Sequence, residues 1–298
     1  MCGIVGLFLK DRSLQPELGG HLARMLGVLS DRGPDSAGFA VYAIPQAGMM
    51  KLTLRATDRQ AFSHLGNALD RLGNRLVSLH QRATHAVLTF PNGSEADIRD
   101  VLAAHSGIEL VGQGARMELY KEVGRPERVA ERFDLPFMAG THGIGHTRMA
   151  TESAVTTEGA HPFSTGPDQC LVHNGSLSNH NAIRRLLARE GQHFATDNDS
   201  EVAAGYLTWR MAQGASLGQA LEAALADLDG FFTFVVGTGN GFGVLRDPIA
   251  CKPAVMAETD RYVAFGSEYR ALVDLPGIED AHVFEPEPAR VYFWEAAA

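Results

Sequence analysis

The order of the apolar segments along the chain limits its fold more than any other feature. Residues 1–9 have the pattern of a buried strand, and several strand-like runs separated by turn residues fill residues 231–295. Three segments with apolar residues at helical spacing precede that second group, at residues 179–191, 199–214 and 216–228. Runs of strands, then helices, then strands predict stacked layers of sheet and helix in an α+β fold.

Within this frame, residues 51–136 are predicted to form a separate small α+β module. Strand and helix patterns alternate in this region. The predicted strands are residues 51–57 and 85–90, the predicted helices are residues 61–79 and 94–106, and residues 108–124 have a strand pattern broken at glycines. A strand pattern like that of the first strand resumes near Thr141, so residues 51–136 are predicted to be an insertion.

Length, charge and cysteine content argue against several functional classes. A chain of 298 residues can bury a sizeable core, and its net charge of −9 gives no electrostatic support for nucleic-acid binding. No apolar run approaches the roughly 18–20 residues of a membrane span, and no signal-peptide pattern is present. Three sparse cysteines, Cys2, Cys170 and Cys251, suit a reducing cytoplasm. No clustered Cys/His spacing predicts a metal site, so we expect a cytoplasmic protein without metal, membrane or nucleic-acid partners.

Cys2 lies directly behind Met1, at the head of the first strand. Once Met1 is removed, a single residue carries both a thiol and a free α-amine. An α-amine titrates close to neutral pH, so it can serve as the base that activates its own nucleophile. Taken alone, however, Cys2 fits a buried structural cysteine better.

Two arginines lie in turn-like stretches of the sequence. Arg32 begins the stretch RGPD, which has loop composition, and its side chain can orient a carboxylate or a carbonyl group. Arg148 follows a predicted strand in GHTRMAT, and its guanidinium fork suits an α-carboxylate. A surface turn at Arg32 and a structural ion pair at Arg148 are the alternative interpretations.

A third group of polar residues follows another predicted strand, in CLVHNG. The Asn174 side-chain amide and the Gly175 backbone N–H are two donors that can stabilise an oxyanion, although an Asn-Gly turn also accounts for them. His173 fits either a base or a packed core histidine. Asp199 heads the helix at residues 199–214, where it or Ser200 can act as N-cap, and Asp199 can also hold a substrate ammonium group.

Together these stretches supply a nucleophile, an oxyanion hole, and an Arg/Asp pair for the two charged ends of an amino acid. Such a set predicts attack on the side-chain carbonyl of a free α-amino acid.

The same stretches, in the same order, resemble the class II glutamine amidotransferases, which are N-terminal nucleophile hydrolases. The matching segments are MCGIVG, RGPDSAG, GHTRMAT, AHPF, VHNGSLSNH, DNDSEV and the late RDPIACKP with GSEYRAL. They cover nearly the whole chain apart from residues 51–136. The resemblance implies one amidotransferase domain over residues 1–298, folded as a four-layer αββα sandwich with residues 51–136 inserted.

The resemblance also implies a role for each residue at the site. It makes Cys2 the nucleophile, Asn174 and Gly175 the oxyanion hole, Arg32 a support for the nucleophile's surroundings, and Arg148, Thr151, Asp199 and His173 substrate-binding residues. The sequence departs from the family pattern at Glu152, where many members have His, and at Gly159, where Asn is frequent. These departures concern the rim of the pocket.

Family members usually continue into a domain that uses the ammonia, whereas this sequence ends after the amidotransferase-like unit. We therefore expect partner subunits. The layout resembles the stand-alone amidotransferase subunits of glutamate-synthase-like assemblies, and N-methylglutamate synthase is the specific expectation. The resemblance then implies an FMN-dependent synthase subunit, a β-helical subunit, and FMN with an iron–sulfur cluster held by the partner, with no cofactor in this chain.

Two other functions stay open on the sequence. The chain can be a non-catalytic subunit of the same complex, structural or binding glutamine or glutamate, with Met1 retained. It can also be an amidase that acts on γ-glutamylmethylamide, because the Arg148/Asp199 pair specifies an amino-acid head group but not the leaving amine.

Overall fold

The computed structural model describes residues 2–58, 60–71, 77–150 and 154–295. The strands are β1 (Gly3–Leu9), β2 (Ser36–Tyr42), β3 (Met49–Ala56), β4 (Ser78–Arg82), β5 (His85–Pro91), β6 (Ile108–Gly114), β7 (Met117–Val123), β8 (His142–Arg148), β9 (Phe163–Gly166), β10 (Gln169–Leu177), β11 (Gly230–Gly237), β12 (Gly241–Arg246), β13 (Val255–Glu258), β14 (Tyr262–Gly266), β15 (His282–Phe284) and β16 (Val291–Glu295). The α-helices are α1 (Leu18–Val28), α2 (Gln60–Asp70), α3 (Glu95–Ala103), α4 (Pro126–Arg132), α5 (His180–Arg189), α6 (Asp199–Ala212) and α7 (Leu217–Asp227).

Two large antiparallel sheets form the centre of the molecule. The first has seven strands in the order β15-β13-β14-β1-β8-β2-β7, and the second has five in the order β16-β12-β11-β10-β9. Strand β1 therefore lies inside the larger sheet, paired with β14 on one side and β8 on the other. This central position fixes the backbone that leads directly from Cys2.

Three groups of buried apolar side chains separate four layers of secondary structure. One group lies between α1 and the seven-stranded sheet, one lies between the two sheets, and one lies between the five-stranded sheet and α5–α7. Representative members are Leu7 and Leu22 in the first group, Ile4 and Val235 in the second, and Phe234 and Leu207 in the third. The resulting order is helix, sheet, sheet, helix.

The position of strand β1 between two apolar cores explains why its sequence is apolar throughout. Successive side chains of a strand point to opposite faces, and Val5 and Leu7 pack toward α1 whereas Ile4 and Phe8 pack between the sheets. Both faces of the strand are buried, so no polar position interrupts the run from Gly3 to Leu9.

A third sheet of four strands, in the order β4-β5-β3-β6, forms a separate unit with α2 and α3. Its own apolar core contains side chains from the sheet, from α2 and from α3, including Leu54, Phe62, Leu88 and Ile98. We call this unit, residues 49–114, the inserted module.

The structure differs from the sequence prediction at two places in this region. The separate sheet ends at Gly114, and β7, which lies inside residues 51–136, pairs with β2 as the edge strand of the seven-stranded sheet. The helix predicted over residues 61–79 is wrong at its C-terminal end, because Ser78–Arg82 is a strand that pairs with β5 through a tight turn at Ala83. Among the described residues, no helix is both long and apolar enough to cross a bilayer.

Candidate active site

A cavity of about 980 Å³ lies where the start of β1, the end of β8, the end of β10 and the start of α6 come together. Its volume is within the range of pockets for small molecules. Six of the residues singled out from the sequence line it: Cys2, Arg148, His173, Asn174, Gly175 and Asp199. Residues from four distant parts of the chain thus meet at one site.

Cys2 is half-buried at the cavity wall, and its Sγ lies 3.9 Å from the carbonyl oxygen of Met149. The backbone of Cys2 is held by two side chains. The Arg32 Nε and the Asn174 Nδ2 both donate to the Cys2 carbonyl oxygen, at 3.0 and 3.2 Å. These contacts fix the position of the residue that carries the thiol.

Arg32 lies behind Cys2 and is itself held by a carboxylate. Its Nη1 forms an ion pair with Glu268, which also accepts from the Nε of Arg270 at 2.5 Å. The neighbouring Ser267 exchanges two hydrogen bonds with Ile4, because the Ile4 N–H donates to Ser267 Oγ and the Ser267 N–H donates to the Ile4 carbonyl, both at 2.9 Å. The residues just after β14 therefore secure the start of β1.

Gly175 occupies a position that no other residue can take without a change in the backbone. Its φ is +150°, and a Cβ there would lie 2.0 Å from the Phe231 carbonyl oxygen. The chain at Gly175 consequently passes close to β11 while its neighbour Asn174 reaches Cys2. An ordinary Asn-Gly turn does not account for this segment, because both residues belong to β10.

The RGPD stretch packs against the end of β8 and forms hydrogen bonds with Arg148 and Ala150 there. The Asp35 N–H donates to the Arg148 carbonyl at 3.1 Å, and the Asp35 carboxylate accepts from the Ala150 N–H at 2.8 Å. A Cβ at Gly33 would lie 2.4 Å from the carbonyl carbon of Thr147. The interpretation of RGPD as a surface turn is therefore wrong, since this stretch holds the strand end that presents Arg148 to the cavity.

Asp199 and His173 lie next to each other in the lining of the cavity. One carboxylate oxygen of Asp199 accepts from the Leu177 N–H at 2.9 Å, and the other lies 3.8 Å from His173 Nδ1. His173 Nδ1 is also 2.8 Å from the Ser200 hydroxyl. The N-cap of α6 is Asn198, whose side chain accepts from the Ser200 N–H, so the capping role considered for Asp199 or Ser200 is wrong.

Three buried histidines near the cavity are neutral at physiological pH. Burial lowers the pKa of His173 to about 4, although the charge of Asp199 raises it. The rings of His146 and His161 stack with their centroids 4.1 Å apart, and burial lowers the pKa of His146 to about 3 and that of His161 well below its ordinary value. Among the described residues that line the cavity, the lysine and arginine side chains are those of Arg148 and Lys252.

Sequence reasoning missed several residues that shape the site. The Glu201 carboxylate accepts from the backbone of Ala195 and from the backbone and hydroxyl of Thr196, at 2.7–2.8 Å, and so folds the segment that forms one cavity wall. Lys252 lines the cavity and lies over the ring of Phe231, at 5.0 Å from its centroid. Glu268 and Lys252 belong to the segments that carried the family resemblance, but nothing local distinguished them from solvated charges. Thr151, predicted to bind substrate, lies outside the described residues.

Comparison with known proteins identifies the family. The family model described as "Glutamine amidotransferase domain" matches residues 146–274. The "Glutamine amidotransferase-like protein GlxB" of Rhizobium meliloti (strain 1021) is 62% identical over 297 residues, which are 99% of this chain and 98% of that protein. A "Putative glutamine amidotransferase" of Methanothermobacter thermautotrophicus is 35% identical over 307 residues, which cover 98% of this chain and 99% of that protein. The chain belongs to the glutamine amidotransferase family.

A solved structure supports the fold of this amidotransferase. The glutamine phosphoribosylpyrophosphate amidotransferase from B. subtilis, complexed with ADP and GMP, matches with a TM-score of 0.63 at 18% sequence identity, over 99% of this chain and 47% of that one. The predictions of a class II glutamine amidotransferase and of an αββα fold are confirmed. The roles of individual residues stay predictions.

Proposed function

We propose that this amidotransferase hydrolyses the side-chain amide of glutamine through a Cys2 thioester and supplies the ammonia to a partner synthase subunit. The observation that carries the proposal is the cavity, in which a thiol, an arginine, a carboxylate and an Asn-Gly pair converge. An amino acid presents one carboxylate and one ammonium group, and Arg148 and Asp199 complement these two charges.

The proposed chemistry needs the free α-amine of Cys2, so Met1 has to be removed first. The amine takes the proton of the thiol, and the sulfur attacks the side-chain carbonyl carbon of glutamine. The C–N bond then breaks, and the nitrogen takes that proton and leaves as ammonia. Water attacks the resulting γ-glutamyl thioester, which releases glutamate and restores the thiol.

Asn174 and Gly175 are the proposed donors to the oxyanion that forms in both steps. Asn174 already reaches the backbone of residue 2, at 3.2 Å from its carbonyl oxygen. A donor placed beside the nucleophile in advance stabilises the developing negative charge without reorganising during the reaction. Arg32 keeps the Cys2 carbonyl in place, and His173 and Thr151 are proposed to complete the substrate pocket.

We assign use of the ammonia to other chains. The support is the resemblance to the amidotransferase subunits of glutamate-synthase-like assemblies, and N-methylglutamate synthase is our specific proposal. An FMN-dependent synthase subunit would hold FMN and an iron–sulfur cluster, and a β-helical subunit would complete a cytoplasmic complex. Glutamine is the substrate that this chain itself would bind.

Isotope transfer in the assembled complex tests this function. Glutamine labelled with ¹⁵N at its side-chain amide is supplied to the complex, and the label is followed by mass spectrometry into ammonia and the synthase product. We expect the label to enter the product and to disappear from it in a Cys2→Ala complex. Faster cleavage of γ-glutamylmethylamide than of glutamine would favour the amidase instead, and absence of cleavage of both would favour a non-catalytic subunit.

A further inference from the structure

The wall of the cavity that faces the inserted module is formed by residues 154–162, which we call the cavity loop. Ala154, Thr156, Glu158, Gly159 and His161 of this loop line the cavity. The carbonyl oxygen of Ala154 accepts from Arg148 Nη1 at 3.4 Å. The position of the cavity loop is thus linked to the guanidinium proposed to bind the glutamine carboxylate.

A buried arginine of the inserted module reaches the cavity loop directly. Arg55 lies on β3, with only 9% of its side chain exposed, and its Nη1 is 2.5 Å from the Glu158 carboxylate. The same nitrogen is 2.9 Å from the carboxylate of Glu109 on β6. Of these two carboxylates, one belongs to the module itself and the other belongs to the cavity loop.

A second link passes through Glu122 on the edge strand β7. One oxygen of its carboxylate accepts from the hydroxyl of Thr84, in the turn between β4 and β5, at 2.9 Å. Its other oxygen accepts from the hydroxyl of Thr157 in the cavity loop. Glu122 therefore joins a hairpin of the module to the residue next to Glu158.

The backbone of the cavity loop is fixed from the same side. Lys121, buried on β7, donates to the carbonyl oxygens of Glu158 and Ala160, at 3.0 and 2.9 Å. This contact comes from the large sheet and does not depend on the module. The module contacts Glu158 directly through Arg55, and it reaches Thr157 only through the contact of Thr84 with Glu122.

We infer that the inserted module is a positioning element of the glutamine site, acting through Arg55–Glu158 and Thr84–Glu122–Thr157 on the cavity loop. Arg55 does not line the cavity, so its effect on glutamine passes through the loop. The Glu158 side chain is 47% exposed, and ion pairs with exposed partners add little to folding stability. The consequence is expected in loop position and glutamine affinity, with little change in folding. This inference rests on the proposed glutaminase function.

Two matched variants separate the loop from the module, because both remove one carboxylate from the same guanidinium. We expect Glu158→Gln to raise KM for glutamine about three- to tenfold, with kcat changed less than about twofold. Glu109→Gln is expected to leave both parameters within about twofold. Both enzymes are assayed with their partner subunits and compared with wild type for thermal unfolding.

Glu158 lines the cavity, so a direct contact with glutamine has to be distinguished from the link to Arg55. Arg55→Met and the Arg55→Met/Glu158→Gln double variant complete a double-mutant cycle. We expect Arg55→Met to raise KM as Glu158→Gln does. In the double variant, we expect KM to exceed that of Glu158→Gln alone by less than about twofold. Arg55→Lys, which retains the charge, replaces Arg55→Met if that variant does not fold, and is expected to restore part of the affinity.

Hydrogen exchange of the cavity loop gives a readout that needs no catalysis. We expect faster exchange of amides in residues 154–160 in Glu158→Gln and Arg55→Met, and wild-type exchange there in Glu109→Gln. Changed exchange in an enzyme that does not cleave glutamine would uphold the link and refute the proposed function. Unchanged exchange, independent effects of the two substitutions on KM, or an equal effect of Glu109→Gln would overturn the inference.

Discussion

The two walls of the cavity are held in place by different means. The wall that carries Cys2 and Asn174 belongs to strands inside the two large sheets, whose ladder pairing includes Asn174 and begins at Gly3, next to Cys2. The opposite wall, residues 154–162, is mostly irregular and is held by side chains of Arg55, Lys121 and Glu122. Backbone pairing is insensitive to single side chains, whereas an ion pair disappears with one substitution.

This difference divides the site by function. A wall built on rigid strands suits groups that take part in bond making, since these have to keep their geometry closely. A wall held by side chains suits capture and release of substrate, which needs local movement. Substitutions in the first wall should therefore change kcat, and substitutions in the second should change KM.

The nucleophile gives the largest expected effect. Cys2→Ala should lower glutamine hydrolysis by at least about 10³-fold, because no other group can form the thioester. The measurement is glutamate release by the assembled complex. Cys251→Ala is the matched control, since Cys251 is an exposed cysteine outside the cavity lining, and activity that survives in Cys2→Ala would contradict the assignment.

The proposed oxyanion donor comes next. Asn174→Ala should lower kcat about 10²- to 10³-fold with a smaller change in KM, because its amide is expected to act on charge that develops during the reaction. The kinetic constants for glutamine hydrolysis provide the measurement. A rise in KM at constant kcat would instead make Asn174 a substrate-binding residue and would break the division between the two walls.

Glu268 tests how far the wall that carries Cys2 depends on the ion pair that holds Arg32. Glu268→Gln weakens the hold on Arg32, which donates to the Cys2 carbonyl, and should lower kcat about tenfold with KM changed less than about threefold. Arg270→Gln is the control, because it removes the outer partner of Glu268 and leaves the contact with Arg32. Equal effects of the two substitutions would contradict the claim that the contact of Glu268 with Arg32 is the one that matters.

The smallest expected effect is on stability at the junction of the module with the large sheet. Burial lowers the pKa of His85 to about 3, with Glu122 raising it and Arg55 and Lys121 lowering it. The unfolded chain binds a proton at His85 below about pH 6.5 and the folded chain does not, so this residue makes stability fall as pH drops from about 6.5 toward 3.

His85→Phe removes that one contribution. Its free energy of unfolding should fall less steeply with acid than that of the wild type, by up to about 1.4 kcal/mol per pH unit between roughly pH 6 and pH 4. Urea unfolding at several pH values measures the slope. A variant of the exposed His282 should follow the wild-type curve, and an unchanged slope in His85→Phe would contradict the neutral, buried state of this residue.

The frame of the fold was predictable because strand and helix patterns in the sequence correspond to buried faces, as in β1, where every position from Gly3 to Leu9 is apolar or glycine. Strand β7 was assigned to the wrong unit, since its pairing with β2 is a long-range contact that no local pattern specifies. Part of strand β4 was predicted as helix for a similar reason. The local apolar spacing is helical, but the residues pair with β5, and that spacing does not specify the pairing.

The candidate site shows the same limit. Cys2, Arg148, Asn174 and Asp199 were found because their short motifs carry chemistry, and Arg32 was found with a role that its contact with Cys2 makes specific. Glu268 contacts Arg32 although the two residues are 236 positions apart in sequence. This contact can be recognised only in the folded chain.

The most direct test of the central claim is the intact mass of the native protein, with its partner subunits, before and after treatment with a glutamine-mimicking diazoketone. The account predicts loss of the Met1 mass and a single covalent adduct on Cys2, absent in Cys2→Ala. A chain that retains Met1 and forms no adduct would contradict the claim that Cys2 is an N-terminal nucleophile.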